Sequence, residues 1–364
     1  MKRRRPDTQI VFVGEKGGNF AHLINSEPAI DGFVTVRAGK FRRYHGESWL
    51  RRLFDLRTHI LNLRDLGYIL LGFFESRRIV KLERPDIVFL KGGFVGAPLG
   101  VAAGMARVPL ITHDSDMVAG LANRLVQRWA TIHAVAGAPE NYPYDAARIR
   151  VVGTIISDDY RQVIDNRTIA DYRRDIDVPA TAKLLFVTGG SSGSAAINSM
   201  MEHITIELLE EYEDLYIIHQ SGKEKAGVSV SEAYQQRYRA VDFIDQMYKV
   251  SAAADVIVMR AGANTLAEFG AQAKACIVIP APHLAGGHQL RNAERLAEQN
   301  AVVALDQTKA LDDPTLLQRQ IEALLYDERQ RRHYGDALQQ QTLIDADERI
   351  VDIIEELVSG DEAS

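Results

Sequence analysis

Short apolar runs alternate with helix-length amphipathic segments along almost the whole chain, which is the pattern of parallel strands joined by crossover helices. In the first half the runs are 10–13, 33–36, 87–90, 110–112, 132–135 and 150–152. In the second half they are 184–187, 215–219, 240–243, 256–258, 276–279 and 302–304. Two open α/β sheets are predicted. The break between them falls within 153–159, where a strand ends at Gly153 and a polar helix rich in Asp and Arg is expected from about Asp158. The division is therefore 1–155, 156–342, and a last stretch 343–364, whose helix (345–358) is expected to pack back on the first domain before a polar tail that frays.

Length supports two separate cores, since 364 residues exceed the usual single-domain size. The single cysteine, Cys276, lies in an apolar run, so a disulfide framework or cysteine-based zinc site is excluded and a buried, inert thiol is expected. The basic start is followed by only about five apolar residues before Gly14, too few for a signal peptide. The longest apolar run, 68–74, falls far short of the roughly 18 residues of a spanning helix. These features fit a cytoplasmic protein.

Charge is unevenly shared. The chain is formally −6, yet residues 37–78 hold ten basic side chains against four acidic ones. In this stretch Arg alternates with Trp49, Leu50, Leu53, Phe54, Leu56, Ile60, Leu61 and Leu63, which suits either a core-facing stripe or an amphipathic face on anionic lipid headgroups. Nucleic acid ranks below lipid as partner, because no recognition module accompanies the charge.

Three strand-to-helix loops of the second half carry candidate chemistry. In 184–198 an apolar strand runs into Gly189-Gly190-Ser191-Ser192-Gly193 and then a helix, an arrangement that offers backbone N–H groups and a helix dipole to a diphosphate. It lacks the Lys-Ser/Thr ending of a P-loop and the spacing of a dinucleotide fingerprint. In 260–280 small residues open a helix bearing one acid, Glu268, suited to a ribose diol or simply to solvent. In 280–299 Gly286-Gly287 precedes His288, Gln289 and Asn292, neutral groups able to read sugar hydroxyls or phosphate oxygens. The first half repeats the design at Gly92-Gly93, and His113-Asp114-Ser115-Asp116 follows a strand. There the Asp-x-Asp spacing admits a divalent cation and His113 a proton-transfer role, against the commoner reading of each as loop structure.

Taken together, "KGGFVGAP" (91–98), "GLANRL" (120–125), "GGSSGSAAIN" (189–198), "HQSGK" (219–223), "FIDQM" (243–247), "SAAADVIVMRAGANTLAEFG" (251–270) and "HQLRNA" (288–293) resemble, in order, the motifs of the MurG family. The resemblance covers essentially the whole chain. It implies the GT-B fold, two Rossmann-like domains facing a cleft, and inverting transfer of N-acetylglucosamine from UDP-N-acetylglucosamine to the C4 hydroxyl of N-acetylmuramic acid in lipid I, giving lipid II. By position it implies a diphosphate held at Gly190, Ser191, Ser192 and Gly193, uracil at the Ile244 backbone, and nucleotide contacts along Ala263, Asn264, Thr265, Leu266 and Ala267, with Glu268 on the ribose. His288, Gln289 and Asn292 would meet the donor sugar and phosphates. Gly92, Gly93, Asp116, Asn123 and Ser157 would stand on the acceptor or nucleotide side. No metal or other cofactor is implied, because backbone amides take the place of a cation, and the protein would sit peripherally on the cytoplasmic face of the cell membrane through 37–78.

Two departures stand out. The family's His-Glu-Gln-Asn is here His113-Asp114-Ser115-Asp116, and its Gly-Asn-Pro-Val-Arg is Gly153-Thr154-Ile155-Ile156-Ser157, without the arginine. The opening "QIVFVG" corresponds to the family's second strand, so the first strand, a glycine loop with the histidine proposed as base, and the first helix are expected upstream of Met1. Within the chain no group is assigned as the base, and His113 is no more than a candidate. Two alternatives follow from these departures: a non-catalytic UDP-sugar-binding homologue, and a transferase for another lipid-linked acceptor.

Overall fold

The computed structural model describes residues 1–18, 24, 27–39, 56–162, 164–223, 227–282 and 287–361. It divides into two compact units, Met1–Val152 with Asp347–Ser364, and Gly153–Ala346.

The N-terminal unit contains β1 (Val11–Glu15), β2 (Gly32–Val36), α1 (Leu56–Glu83), β3 (Val88–Leu90), α2 (Gly96–Met105), β4 (Leu110–Asp114), α3 (Leu121–Val126), β5 (Ile132–Val135) and β6 (Ile149–Val151). Every strand predicted from the first half is present. They do not form one sheet, however: β1 and β2 pair with each other, and β3-β4-β5-β6 make a second parallel sheet. The difference arises because, among the described residues, no strand pairs with the outer edge of β1 or of β3.

Small residues let α2 pack close. A Cβ on Gly100 would stand 2.7 Å from Leu90, and one on Gly104 2.3 Å from the Trp129 ring. The α1 helix packs along α2 and turns Ser76 and Val80 inward. Its opposite face is mixed: Leu70, Leu71, Phe74 and Leu82 are exposed, Phe74 to 64 % and Leu82 to 68 %, and Arg77, Arg78, Lys81 and Arg84 are exposed beside them. The interleaved residues Trp49, Leu50, Leu53 and Phe54 lie outside the described residues, as do the side chains of Leu56, Ile60, Leu61 and Leu63. Arg37 is already engaged, giving Nη1 and its backbone N–H to the Glu75 carboxylate at 3.0 and 2.7 Å.

The C-terminal unit contains α4 (Asn166–Asp175), β7 (Lys183–Thr188), α5 (Ala195–Glu211), β8 (Leu215–Gln220), β9 (Tyr238–Val241), α6 (Met247–Ala253), β10 (Val256–Met259), α7 (Ala263–Ala271), β11 (Ala275–Val278), α8 (His288–Glu298), β12 (Val303–Ala304), α9 (Gln307–Asp312), α10 (Thr315–Tyr326) and α11 (Glu328–Gln340). The strand order is β12-β11-β10-β7-β8-β9, all parallel. Such a sheet must be covered on both faces, and alternation along β7 shows it. Leu184 and Phe186 join a core with Leu266 and Phe269, while Leu185 and Val187 join one with Met200, Leu208, Leu317 and Ile321. Cys276 belongs to the first core, where burial pushes its thiol up to about 12.

The helix expected from Asp158 begins later. Asp158–Tyr160 is one 3-10 turn, capped by Ser157, and α4 starts at Asn166, where Asp165 takes the Thr168 N–H at 2.7 Å. The last helix, α12 (Ala346–Asp361), leaves the second unit and joins the first, where Arg4 pairs with Asp352 and Glu355 and Arg5 with Glu355. Residues 362–364 of the tail lie outside the described residues.

Candidate active site

Register fixes the geometry of the C-terminal site. Met259 of β10 is level with Thr188 of β7 on one side and Val278 of β11 on the other, so the three loops singled out in the sequence leave adjacent strands at one edge. In an open parallel sheet this carboxyl edge is where ligands bind.

The loop after β7 is tightly tied. Gly190, with φ +81°, gives its N–H to Thr188 Oγ1 at 3.0 Å, and Gly193 gives its own to the Gly190 carbonyl at 2.9 Å. Ser191 and Ser192 are left exposed at its tip. Ser194 then caps α5 by accepting from Ile197 N at 3.3 Å. The loop after β10 opens α7 at Gly262 with no side-chain cap, so the first-turn amides of Ala263, Asn264 and Thr265 have no intrahelical acceptor. Leu266 is buried and Ala267 packs on the core, so these two could meet a ligand only through their backbones. Glu268 is half-buried beside Tyr160, whose hydroxyl is pushed upward first by burial and then by the carboxylate's charge.

The third loop differs from the expectation. Gly287, at φ +67°, caps α8, but Gln289 Oε1 accepts from Ala281 N at 3.0 Å and Asn292, 2 % exposed, gives Nδ2 to the Ala261 carbonyl at 3.0 Å. Both amides brace the loops rather than standing open. Of the third loop, residues 283–286 lie outside the described residues. Ile244 follows β9 and turns its side chain onto the core. Ser157 stays exposed, its Oγ held by Asp159.

Several residues at this edge were missed in the sequence. Arg260, directly after β10, is half-buried, gives Nη1 to the Ile279 carbonyl at 2.8 Å, and has no carboxylate partner among the described residues; burial lowers its pKa. Thr188 and Gln220 meet at 3.1 Å behind Gly190, and His219 and Asn198 at 3.1 Å behind Ser221. Polar residues at the ends of two adjacent apolar runs were the available signal.

Burial holds His219 neutral and lowers its pKa to about 4. The unfolded chain therefore takes up a proton near pH 6.5 that the folded protein refuses until about pH 4. Stability of this unit should accordingly fall as pH drops through that window. Urea unfolding at pH 7, 5.5 and 4.5 measures the slope, and His219→Gln should flatten it.

In the N-terminal unit the residues at the carboxyl edge are largely spent on structure. Asp114, buried and with a raised pKa caused first by desolvation, accepts from Gly120 N at 2.8 Å and from Tyr144 Oη at 2.7 Å. Both its oxygens have donors, so this carboxylate closes its own loop. Asp116 is half-buried, and its carbonyl accepts from Tyr142 Oη at 2.8 Å. His113 is 1 % exposed, with Nδ1 3.5 Å from Ser115 Oγ and its ring near Phe89. A base that must reach an acceptor hydroxyl is not presented in this way. Asn123, also buried, gives Nδ2 to the His113 carbonyl at 2.9 Å. Gly92 and Gly93 take φ of +81° and +79°, with open space at Gly93.

Comparison with known proteins agrees with this architecture. Residues 17–135 match the glycosyltransferase family 28 N-terminal domain and residues 184–350 its C-terminal domain. The fold is GT-B. It is similar to the crystal structure of Acinetobacter baumannii MurG (TM-score 0.68, 23 % identity, 98 % of this chain and 93 % of that one). It is likewise similar to the glycosyltransferase of kitacinnamycin (TM-score 0.69, 16 % identity, 96 % and 92 %). The protein is an enzyme, a hexosyltransferase of glycosyltransferase family 28. More narrowly, it belongs to the family of UDP-N-acetylglucosamine–N-acetylmuramyl-(pentapeptide) pyrophosphoryl-undecaprenol N-acetylglucosamine transferases. The relative from Geobacter sulfurreducens is 32 % identical over 292 residues, 79 % of this chain and 78 % of its own length. That from Clostridium perfringens is 29 % identical over 349 residues, 95 % and 89 %.

Proposed function

We propose that the protein transfers N-acetylglucosamine from UDP-N-acetylglucosamine to the muramic acid C4 hydroxyl of lipid I, forming lipid II with inversion at the anomeric carbon. The level placement of three glycine-rich loops on β7, β10 and β11 carries the donor half of this reading. Exposed Ser191, the uncapped amides of α7 and Arg260, which has no carboxylate partner among the described residues, suit a diphosphate, and they would stabilise departing UDP as its charge develops. Glu268 suits the ribose diol. Fixed amides and a guanidinium answer that charge without a metal ion, so chelation with EDTA should leave the rate unchanged; a loss restored by magnesium would contradict this.

The acceptor would bind on the N-terminal unit, with the enzyme resting peripherally on the cytoplasmic face of the membrane. Support comes from the mixed face of α1, where Leu70, Leu71, Phe74 and Leu82 stand among Arg77, Arg78, Lys81 and Arg84, beside a 460 Å³ cleft that reaches Met105. Apolar side chains for the acyl boundary and cations for anionic headgroups are the needs of an interfacial helix. In the described residues this face extends beyond 78 to Arg84. No described helix is long and apolar enough to cross a membrane.

The decisive experiment is transfer of labelled sugar to lipid I, with other lipid-linked sugars as a panel. Lipid II formed from lipid I in preference to the panel supports the reading. Transfer only to another acceptor, or UDP binding without any transfer, would replace it.

A further inference from the structure

The end of β8 is joined to the donor loop by a chain of hydrogen bonds whose directions follow, for a neutral His219 ring, from the Ser221 carbonyl, which can only accept. Tyr238 Oη accepts the Val228 N–H at 2.8 Å, leaving its own hydrogen for His219 Nδ1 at 3.0 Å. With Nδ1 accepting, the neutral ring carries its proton on Nε2, which donates to Asn198 Oδ1 at 3.1 Å. Asn198 Nδ2 is then free to donate to the Ser221 carbonyl, also at 3.1 Å. His219 is 1 % exposed and Tyr238 6 %, so the middle of the chain is buried, while Asn198 and Val228 at its ends are half-buried.

Ser221 is where this order reaches the loop. Its carbonyl oxygen lies 2.0 Å from the position a Cβ on Gly193 would take, and a Cβ on Gly222 would lie 2.6 Å from Gly193 Cα. The two glycines, at φ +64° and +95°, thus rest backbone against backbone. A parallel tie holds the other end of the loop, where Gln220 Oε1 accepts from Thr188 Oγ1, which accepts from Gly190 N.

We infer that Tyr238, His219 and Asn198 form a positioning relay that sets the Ser221-Gly222 turn, and through it the Gly190–Gly193 loop, for the diphosphate of the donor. None of the three need touch substrate. The relay rests on the donor-site reading above, and it adds that diphosphate affinity is governed from strands β8 and β9. A polar network that served only stability would affect every ligand alike. A positioning relay should affect the diphosphate selectively.

The test compares His219→Phe, which keeps a planar aromatic ring and removes both bonds, with His219→Gln, whose amide nitrogen can replace Nε2. Tyr238→Phe serves as a second break should His219→Phe not fold. UDP and uridine binding are titrated, and donor and acceptor KM are measured. We expect His219→Phe to weaken UDP about tenfold and raise donor KM, with uridine affinity and acceptor KM unchanged and His219→Gln restoring most of the loss. Equal UDP binding by unaltered protein and folded variants, or an equal loss for uridine, would overturn the relay alone. Failure of the unaltered protein to bind UDP would instead overturn the donor-site reading, and the relay with it.

Discussion

Gly193→Val should reduce UDP affinity by at least about 100-fold, a loss of roughly 2.7 kcal/mol, while the rest of the C-terminal unit stays folded. The effect is steric and local. An added Cβ would stand 2.0 Å from the Ser221 carbonyl oxygen, 2.7 Å from its carbon and 2.8 Å from Gly222 Cα, all backbone atoms that no side-chain rotation can move. At φ +64° a β-branched residue is strained in addition. Relief must displace either the loop or the end of β8, and both displacements spoil the diphosphate seat. Gly190→Ala is the informative contrast. Its φ of +81° is strained, but among the described residues nothing lies within 4 Å of the new Cβ, so the backbone penalty of about 1–2 kcal/mol is what applies. Calorimetric titration with UDP, beside circular dichroism to verify folding, should rank wild type above Gly190→Ala and both far above Gly193→Val. Valine at 193 binding UDP within twofold of wild type would remove the loop from the donor site.

Most of the fold could be read from the sequence because buried parallel strands are nearly continuous apolar runs. All twelve predicted runs overlap strands, including one as short as Val303–Ala304. Errors fell where local chemistry has two outcomes. Ser157-Asp158-Asp159 carries the signal of a helix start but closes one 3-10 turn, and Phe243, apolar yet 60 % exposed, lies beyond the end of β9. The splitting of the first sheet depends on pairing partners, which periodicity does not record. For the site, glycine loops and the order of strands were legible, but the direction of each polar group was not. Gln289 and Asn292 hold their own backbone, and Asp114 closes its own loop. The relay was hidden because Asn198, His219 and Tyr238 meet only when α5, β8 and β9 are placed together.

Asp255→Ala should be among the most destabilising single changes in the C-terminal unit, costing about 3–5 kcal/mol, as expected when one partner of a buried ion pair is removed. Asp255 Oδ2 accepts from Arg173 Nη2 at 2.9 Å and from Leu184 N at 2.8 Å, and its other oxygen is 3.9 Å from Arg331. Arg173 is 8 % exposed and, among the described residues, otherwise bonds only to the carbonyls of Ala180, Ala182 and Ala253. Alanine would strand that guanidinium beside neutral acceptors and leave the Leu184 amide of a central strand without its partner. The cation would be buried and uncompensated, which is the costly case. The surface pair Arg332 and Glu328 defines the other limit: its side chains are 76 % and 63 % exposed, so Glu328→Ala should cost less than about 1 kcal/mol. Thermal unfolding followed by circular dichroism should therefore show a drop of roughly 10 °C for Asp255→Ala, at about 2–4 °C per kcal/mol for a unit of this size, and almost none for Glu328→Ala. Equal shifts for the two would mean that the Arg173 guanidinium is solvated well enough not to need its carboxylate. Anchoring of α4 to the start of β7 would then rest on the carbonyl bonds alone.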